Sequence, residues 1–519
     1  MNLAKQKIGM WGLGIVGWSV LKYLAAQKIN QQANLDNLEL VNLAKETGVK
    51  KAVINLNQLN LSDCELIVFE QRDLSPAELA QLASLGISQE TNLENFLNFS
   101  DIIISSPGVD LRAYQTYKNK FYSELDLFAA SFNKPILAIT GSLGKTTITT
   151  VLAELLTELN LRVAVGGNIG VGMCDLISQQ AALDLVVLEL SSFQLEQAQS
   201  FRAQGALWTN FCANHLDRHD NLAEYFKAKL RLFELQEAAG ISLLPGELLI
   251  NNLANLKLAK IKSQLNWFGL TRPAVAELFE QELAKTGESI KSLPLASSKI
   301  KNLYYVQDNF IVREQAGEIN NLIAVAKLDA SILLINWVAI VGFLDLVSNN
   351  LLTFGANNLI NSLREYKFAG IEHRVELFTE INGVKFYNDS KSTVPEATLA
   401  ALEKLTSSSA SPIILILGGL GKGVQRDKFI SELVKYKNKS KNLKQVIIFG
   451  GESQDLKKWC DLANLNSLVC VDLLAVVAQV WQIALPGDSV LFSPSGSSYD
   501  LFKNYMIRGQ EFKKLVLKI

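Results

Sequence analysis

The run Ala138-Ile139-Thr140-Gly141-Ser142-Leu143-Gly144-Lys145-Thr146-Thr147 sets glycines, a lysine and hydroxyls directly after an apolar stretch that begins at Pro135. Glycines let backbone N–H groups approach phosphate oxygens, the lysine brings a point charge to the outer phosphates, and the hydroxyl that follows it can reach Mg²⁺. Gly141, Ser142, Leu143, Gly144, Lys145, Thr146 and Thr147 are therefore the expected cradle for ATP or GTP. Further on, Leu185-Val186-Val187-Leu188-Glu189 is an apolar run ending in an acid. A carboxylate at the C-terminal end of a strand can share a hard metal ion with Thr146, or can simply be solvated there. The segment Asn210-Phe211-Cys212-Ala213-Asn214-His215-Leu216-Asp217-Arg218-His219 holds two of the chain's three histidines. A loop histidine on its own is as readily a surface residue. Lys227, Lys229 and Arg231, in the helical pattern that follows, read by themselves as a solvated basic face.

These side chains need a scaffold, and the pattern predicts an α/β fold. Short apolar runs alternate with helical spacing, as in parallel sheets with crossover helices. Strands are predicted at Ile8–Trp11, Leu66–Phe69, Ile102–Ile104, Ile136–Ile139, Leu185–Leu188, Leu207–Asn210, Ile413–Leu417, Val446–Phe449 and Val490–Phe492. After the glycine loop, Ile148, Val151, Leu152, Leu155, Leu156 and Leu159 recur at the spacing of one buried helix face. The 519 residues correspond to about three domains, and polar turns place the boundaries at 1–133, 134–370 and 371–519. Asn30 to Ser62 and Thr271 to Asn302 read as surface insertions.

Composition excludes several classes. With 50 basic and 51 acidic side chains the formal charge is -1, so no nucleic-acid partner is expected. Five cysteines without a CxxC spacing argue against a disulfide framework and a zinc site, and make a reducing, cytoplasmic compartment the default. The apolar run Ile8 to Val20 resembles a signal region, but Gly9, Gly12, Gly14 and Gly17 suit a strand-to-helix turn better. Ser331 to Val347 contains Asn336 and Asp345, which favours a buried helix over a membrane span. The hexapeptide Gly12-Leu13-Gly14-Ile15-Val16-Gly17 alone would suggest a dinucleotide fold. The next strand's acid, Glu70, comes far later than the roughly twenty residues that fingerprint requires.

Taken in order, these motifs resemble the Mur ligases, ATP-dependent amide-forming enzymes of peptidoglycan precursor synthesis. The resemblance covers nearly the whole chain. Its central motifs are the glycine loop, Gly166-Gly167-Asn168-Ile169-Gly170, Glu189-Leu190-Ser191-Ser192-Phe193-Gln194-Leu195, the His215 loop and Ala228-Lys229-Leu230-Arg231. The C-terminal third adds Glu372-His373-Arg374-Val375-Glu376, Asn388-Asp389-Ser390-Lys391-Ser392-Thr393, and Gly418-Gly419-Leu420-Gly421-Lys422-Gly423. The Asn-Asp-Ser-Lys-x-Thr run favours the branch that adds D-glutamate to UDP-N-acetylmuramoyl-L-alanine over relatives that add other amino acids.

The resemblance implies Rossmann-like first and third domains around a phosphate-loop ATPase domain. It implies catalysis by Lys145, Glu189, His215 and Lys229, with Thr146, Glu189, His215 and a carbamylated Lys229 around two Mg²⁺ ions. Asn336, Arg374 and Asp389 would meet the nucleotide. Leu13, Ile15, Val16, Arg72, Ser106, Gly108 and Asn168 would meet the UDP substrate, and Lys391, Thr393, Lys422, Ser498 and Tyr499 the D-glutamate. A monomer is expected. Three departures stand out: Asn214-His215 where the family has Asp-His, Ile332 and Leu333 where a His-Asn pair precedes Asn336, and Gly421 in place of an acid before Lys422. They leave open a ligase for another amino acid and a non-catalytic nucleotide-binding regulator.

Overall fold

The computed structural model describes residues 6–35, 64–215, 218–248, 260–272, 300–352, 356–408, 410–421 and 426–518. Three sheets organise them. The first has five parallel strands in the spatial order Ser88–Gln89, Glu65–Phe69, Lys7–Trp11, Ile102–Ser105 and Phe121–Ser123. The second has nine, ordered Glu318–Ala324, Phe310–Gln315, Ile300–Gln307, Gln264–Phe268, Ile241–Pro245, Gly205–Trp208, Ile136–Thr140, Leu185–Glu189 and Val163–Gly167. Its first two strands are added by antiparallel pairing, so that only Phe310–Gln315 runs against the rest, and the others pair in parallel. The third has six, ordered Glu376–Ile381, Val384–Asn388, Ser489–Phe492, Ile413–Gly418, Leu443–Phe449 and Ser467–Val469, with only the first antiparallel.

The apolar run at the N-terminus is a strand, a turn and a helix. Strand Lys7–Trp11 ends at Gly12, whose φ of 93° suits glycine, and helix Ile15–Leu35 follows. A Cβ on Gly17 would lie 2.0 Å from the Gly12 carbonyl oxygen, so the tight passage admits no side chain. Helix Lys145–Glu158 buries Ile148, Val151, Leu152, Leu155 and Leu156, the face that its spacing predicts. Helix Leu334–Asn350 buries Asn336, Trp337 and Phe343, and among the described residues no helix is long and apolar enough to cross a membrane.

Several elements depart from the sequence reading. The strand expected at Leu207–Asn210 is Gly205–Trp208, because pairing with Ile136–Thr140 stops at Thr140 opposite Trp208. Val163–Gly167 is an edge strand with two glycines, and Gln264–Phe268 contains Asn266, so neither carries a continuous apolar run. Most of the two supposed insertions lies outside the described residues, but their ends are structural. Asn30–Leu35 continues a helix, and Ile300 opens a strand in which Asn302 is buried and donates to Asn266 at 2.8 Å.

The described residues form two compact units. The first contains the five- and nine-stranded sheets, which are joined by buried polar contacts. Glu124 accepts the Met173 N–H at 2.8 Å, Asp126 accepts the N–H groups of Gln199 and Ser200 at 2.8 and 2.6 Å, and Ser105 donates to Gln197 at 2.6 Å. The second contains the six-stranded sheet together with 211–222 and 328–334. Contacts of this kind, between segments remote in sequence, leave no trace in composition.

Gly17→Ala is expected to destabilise the protein by about 1–3 kcal/mol through overpacking. Gly14→Ala, where a Cβ meets nothing within 4 Å, should stay within about 0.5 kcal/mol of wild type. Urea denaturation of both variants checks this, and equal midpoints would contradict the steric reading.

Candidate nucleotide and amino-acid sites

The glycine loop leaves the end of strand Ile136–Thr140 and enters helix Lys145–Glu158 through Gly144, which is left-handed (φ 79°) and makes no side-chain cap hydrogen bond. The first N–H groups of that helix, with its dipole, form an anion-binding end. The loop is clamped from the neighbouring strand's exit. Asn210 accepts the Leu143 N–H at 2.8 Å and donates back to the Leu143 carbonyl at 3.0 Å, while its own carbonyl accepts the Ser142 N–H at 3.0 Å. Thr209 also donates to the Leu143 carbonyl. Gly141 has φ 142°, and a Cβ there would lie 1.9 Å from the Thr209 hydroxyl, so this clamp requires glycine. Asn336 reaches the same loop, with its Oδ1 3.2 Å from where a Gly144 Cβ would be.

Lys145 and Lys229 converge on this loop. The Lys145 ammonium donates to the carbonyls of Gly141 and Ser142 at 2.9 and 3.0 Å. Lys229, on helix Leu222–Glu234, is 1% exposed and donates to the same Gly141 carbonyl at 2.8 Å. It also lies over the Tyr225 ring at 4.5 Å, one helical turn away, and the Tyr225 hydroxyl contacts Ser142 Oγ at 3.1 Å. The reading of Lys229 as a solvated basic face is thereby overturned, because this face of the helix is its buried one.

Glu189 completes the cluster. It is 1% exposed at the end of its strand, accepts from the Thr146 hydroxyl at 2.7 Å, and accepts from Asn168 at 2.8 Å. Two oxygen-bearing side chains side by side are the donor set that a hard cation such as Mg²⁺ prefers. Asn168, expected beside the UDP substrate, is set against Glu189, and its backbone N–H also bonds the Glu189 carbonyl at 2.7 Å. His215 lies in the second unit, with φ 57° and its N–H bonded to the Asn214 side chain at 2.8 Å.

In the five-stranded sheet, Ser106 donates to the Gly12 carbonyl at 2.9 Å, which joins the two predicted binding turns, while Gly108 has open space around it. Leu13 is buried and gives its N–H to Glu70 at 2.6 Å, Ile15 is exposed and Val16 half-buried. Arg72 forms a bidentate pair with Glu78 on the surface, at 2.6 and 3.0 Å.

In the second unit, three motif loops leave the C-terminal ends of adjacent parallel strands. Asp389 to Thr393 follows Val384–Asn388, Ser493 to Tyr499 follows Ser489–Phe492, and Gly419 to Gly421 follows Ile413–Gly418. This end of an open parallel sheet is where ligands bind. Asp389 is buried and accepts from Ser392, from Ser493 at 2.7 Å and from the Val375 N–H at 3.1 Å, tying the Arg374 turn to the sheet. Arg374 lines a cavity of about 560 Å³ with Ser331, Phe368, Tyr387 and Lys404. The Lys391 ammonium lies over the Tyr505 ring at 5.4 Å, and Thr393 is half-buried. Ser498 is buried and Tyr499 exposed, while Lys422 lies outside the described residues. Of the substituted positions, Ile332 is buried and Leu333 exposed.

Sequence reasoning missed Thr209, Asn210, Tyr225 and Glu70 as partners of the loops. A polar pair directly after an apolar strand was the available signal for Thr209 and Asn210, since register places them beside Gly141.

Comparison with known proteins gives the following. Residues 139–310 match the Mur ligase middle domain and residues 373–496 the Mur ligase glutamate ligase domain. A UDP-N-acetylmuramoylalanine--D-glutamate ligase of Caldanaerobacter subterraneus subsp. tengcongensis is 30% identical over 100% of both chains. One from Geotalea uraniireducens is 30% identical over 99% of this chain and 98% of its own. Among solved structures, MurF ligase from Thermotoga maritima in complex with ADP superposes with a TM-score of 0.52 at 15% identity, over 88% of this chain and 94% of that one. At that identity the likeness concerns the fold.

Burial pushes the Asp389 carboxyl up to about 6, against the hydrogen bonds that favour its charged form. A raised carboxyl holds its proton more tightly folded than unfolded, so its contribution to stability declines as pH rises from about 4 and levels off above that raised value. Asp389→Asn should remove this slope, gaining up to about 3 kcal/mol on wild type across the window. Urea unfolding of both proteins at several pH values measures it, and parallel curves would contradict it.

Proposed function

The chain belongs to the Mur ligase family, and we propose that it joins D-glutamate to UDP-N-acetylmuramoyl-L-alanine at the expense of ATP, releasing ADP and phosphate. The observation that carries this reading is the cluster of Lys145, Thr146, Glu189 and Lys229 around one glycine loop, in a chain similar along its whole length to D-glutamate ligases. ATP binding and ligase chemistry follow from the family. The amino acid, the metal count and the residue roles are the proposal.

The chemistry proceeds in two steps. Lys145 exchanges its carbonyl partners for the outer phosphates and offsets their charge while the substrate carboxylate attacks the γ-phosphorus. The acyl phosphate so formed is a far better electrophile than a carboxylate, and ADP leaves. The D-glutamate amine then attacks the acyl carbon, phosphate departs with the bonding pair, and the amine gives up a proton. Lys391, Thr393, Lys422, Ser498 and Tyr499 are proposed to hold the two carboxylates through charge-assisted hydrogen bonds. Arg374, Asp389 and Asn336 are proposed on the nucleotide side, and Leu13, Ile15, Val16, Arg72, Ser106, Gly108 and Asn168 on the UDP side.

Thr146 and Glu189 would hold Mg²⁺, which supplies charge neutralisation at the phosphates. His215 is proposed as a further ligand or as the base for the amine. Lys229 would contribute oxygen atoms once carbamylated, in the buried position that its side chain already occupies. We propose that the reaction runs in the cytoplasm, where ATP and UDP-linked precursors are found, and that the protein is a monomer.

Purified protein with Mg-ATP and UDP-N-acetylmuramoyl-L-alanine should release phosphate only when D-glutamate is added. Lys145→Ala should lower that rate by at least about a hundredfold. Stimulation by a different amino acid would reassign the substrate, and tight ATP binding without any turnover would favour a regulator. Carbon-13 bicarbonate should give a carbamate resonance that disappears in Lys229→Ala, and an unchanged spectrum would exclude the modification.

A further inference from the structure

We propose that an ion pair between the buried Arg426 and the half-buried Glu452 is the positioning element for the amino-acid end of the active site; the identity of that substrate rests on the reading above. Arg426 opens helix Arg426–Ser440 and is 7% exposed. Its Nε donates to Glu452 Oε2 at 3.1 Å, its Nη1 to the Ser495 carbonyl at 2.7 Å and hydroxyl at 2.9 Å, and its Nη2 to the Gly419 carbonyl at 3.4 Å. The other oxygen of Glu452 accepts the Gly421 N–H at 2.7 Å. One guanidinium and one carboxylate therefore grip both loops that leave the strands Ile413–Gly418 and Ser489–Phe492.

The loops are also zipped directly. Leu420 and Ser497 exchange two backbone hydrogen bonds of 3.0 and 2.7 Å. The glycines on either side leave room for the pair. A Cβ on Gly421 would lie 2.9 Å from both Arg426 Nε and Glu452 Oε2, and one on Gly496 would lie 2.8 Å from Arg426 Nη2. Position 421 thus carries no side chain because the pair fills that space, and Glu452 brings a carboxylate to this loop from a distant segment. Ser497 directly precedes Ser498, which is proposed above to hold D-glutamate.

Energetics support a positioning role over a stabilising one. With Arg426 buried and Glu452 half-buried, the pair gains little net stability from its own attraction, since solvent screens the exposed side and desolvation opposes the buried one; the best-attested use of such pairs is to fix a register. Arginine's planar fork can bind a carboxylate, a hydroxyl and two carbonyls at once, which an apolar or lysine side chain cannot. Arg426 and Glu452 act through the loops and are not assigned any contact with substrate.

The test compares wild type with Glu452→Ala, Glu452→Gln and Arg426→Lys in the full chain. In Glu452→Ala the KM for D-glutamate should rise about tenfold while those for ATP and the UDP substrate stay within about twofold. Glu452→Gln, which keeps an acceptor for the Gly421 N–H, should fall between Glu452→Ala and wild type, and Arg426→Lys should resemble Glu452→Ala. Equal rises in all three KM values, or a lower melting temperature with unchanged KM, would overturn the proposal. Amide hydrogen exchange in Glu452→Gln reads the same question without turnover. Faster exchange at the amides of 419–421 and 495–500 supports it, and uniform acceleration across the C-terminal unit refutes it. Should D-glutamate drive no phosphate release from wild type, the substrate assignment fails, and exchange still decides the pair's role.

Discussion

The first unit depends on keeping one carboxylate buried. Glu189 is almost wholly out of water, and an ionised carboxylate in such a place is costly unless donors reach it. Side-chain donors reach it from different segments, Thr146 at the start of the helix after one neighbouring strand and Asn168 just beyond the other. That arrangement requires strand Leu185–Glu189 to lie between Ile136–Thr140 and Val163–Gly167, in register with both. Sheet order, the loop's exit point and the geometry of the oxygen cluster are therefore one constraint. A hard cation could take the place of such donors at the carboxylate, and phosphate oxygens could share that cation.

A related logic governs the second unit. Its sheet is packed on both faces by apolar clusters, one around Leu415 and Leu433 and one around Phe492 and Phe512. The loops above the strand ends are tied by buried polar side chains instead. Arg508, fully buried, donates to the Ser390 carbonyl at 2.7 Å and to the Gly496 carbonyl at 2.9 Å. Asp389 ties the Arg374 turn to Ser493, and Arg426 ties the loops around Gly419 and Ser495. Backbone carbonyls in loops cannot be satisfied by apolar packing, so a dry loop cluster needs long cationic side chains to reach them. Loops tied in this way hold their polar groups in a fixed arrangement at the ligand-binding end of the sheet.

The comparisons and the geometry address different questions. Similarity along the full chain to D-glutamate ligases establishes the family, whereas the clustering of Lys145, Lys229, Thr146 and Glu189 gives a physical reason for phosphate chemistry in this chain. Lys229 shows why both matter. Its residue type and neighbours fit a solvated helix face, and only the direction in which helix Leu222–Glu234 packs turns it onto the Gly141 carbonyl.

What the sequence by itself determined is what depends on contiguous residues. The glycine loop is legible because phosphate binding needs glycines, lysine and hydroxyl at fixed local spacing. The buried face of Lys145–Glu158 is legible because helical periodicity is local, and strands such as Ile413–Gly418 are legible because both faces are buried and the run is wholly apolar. Tertiary structure decided the partners. Asn210 clamps Leu143 because strand register sets two chain segments side by side. Asn168 meets Glu189, and Arg72 is engaged by Glu78. Glu452 supplies a carboxylate to Gly421 from a remote loop. Each of these is a contact between residues far apart in the chain, and such contacts are set by the order and register of parallel strands, which short-range pattern does not encode.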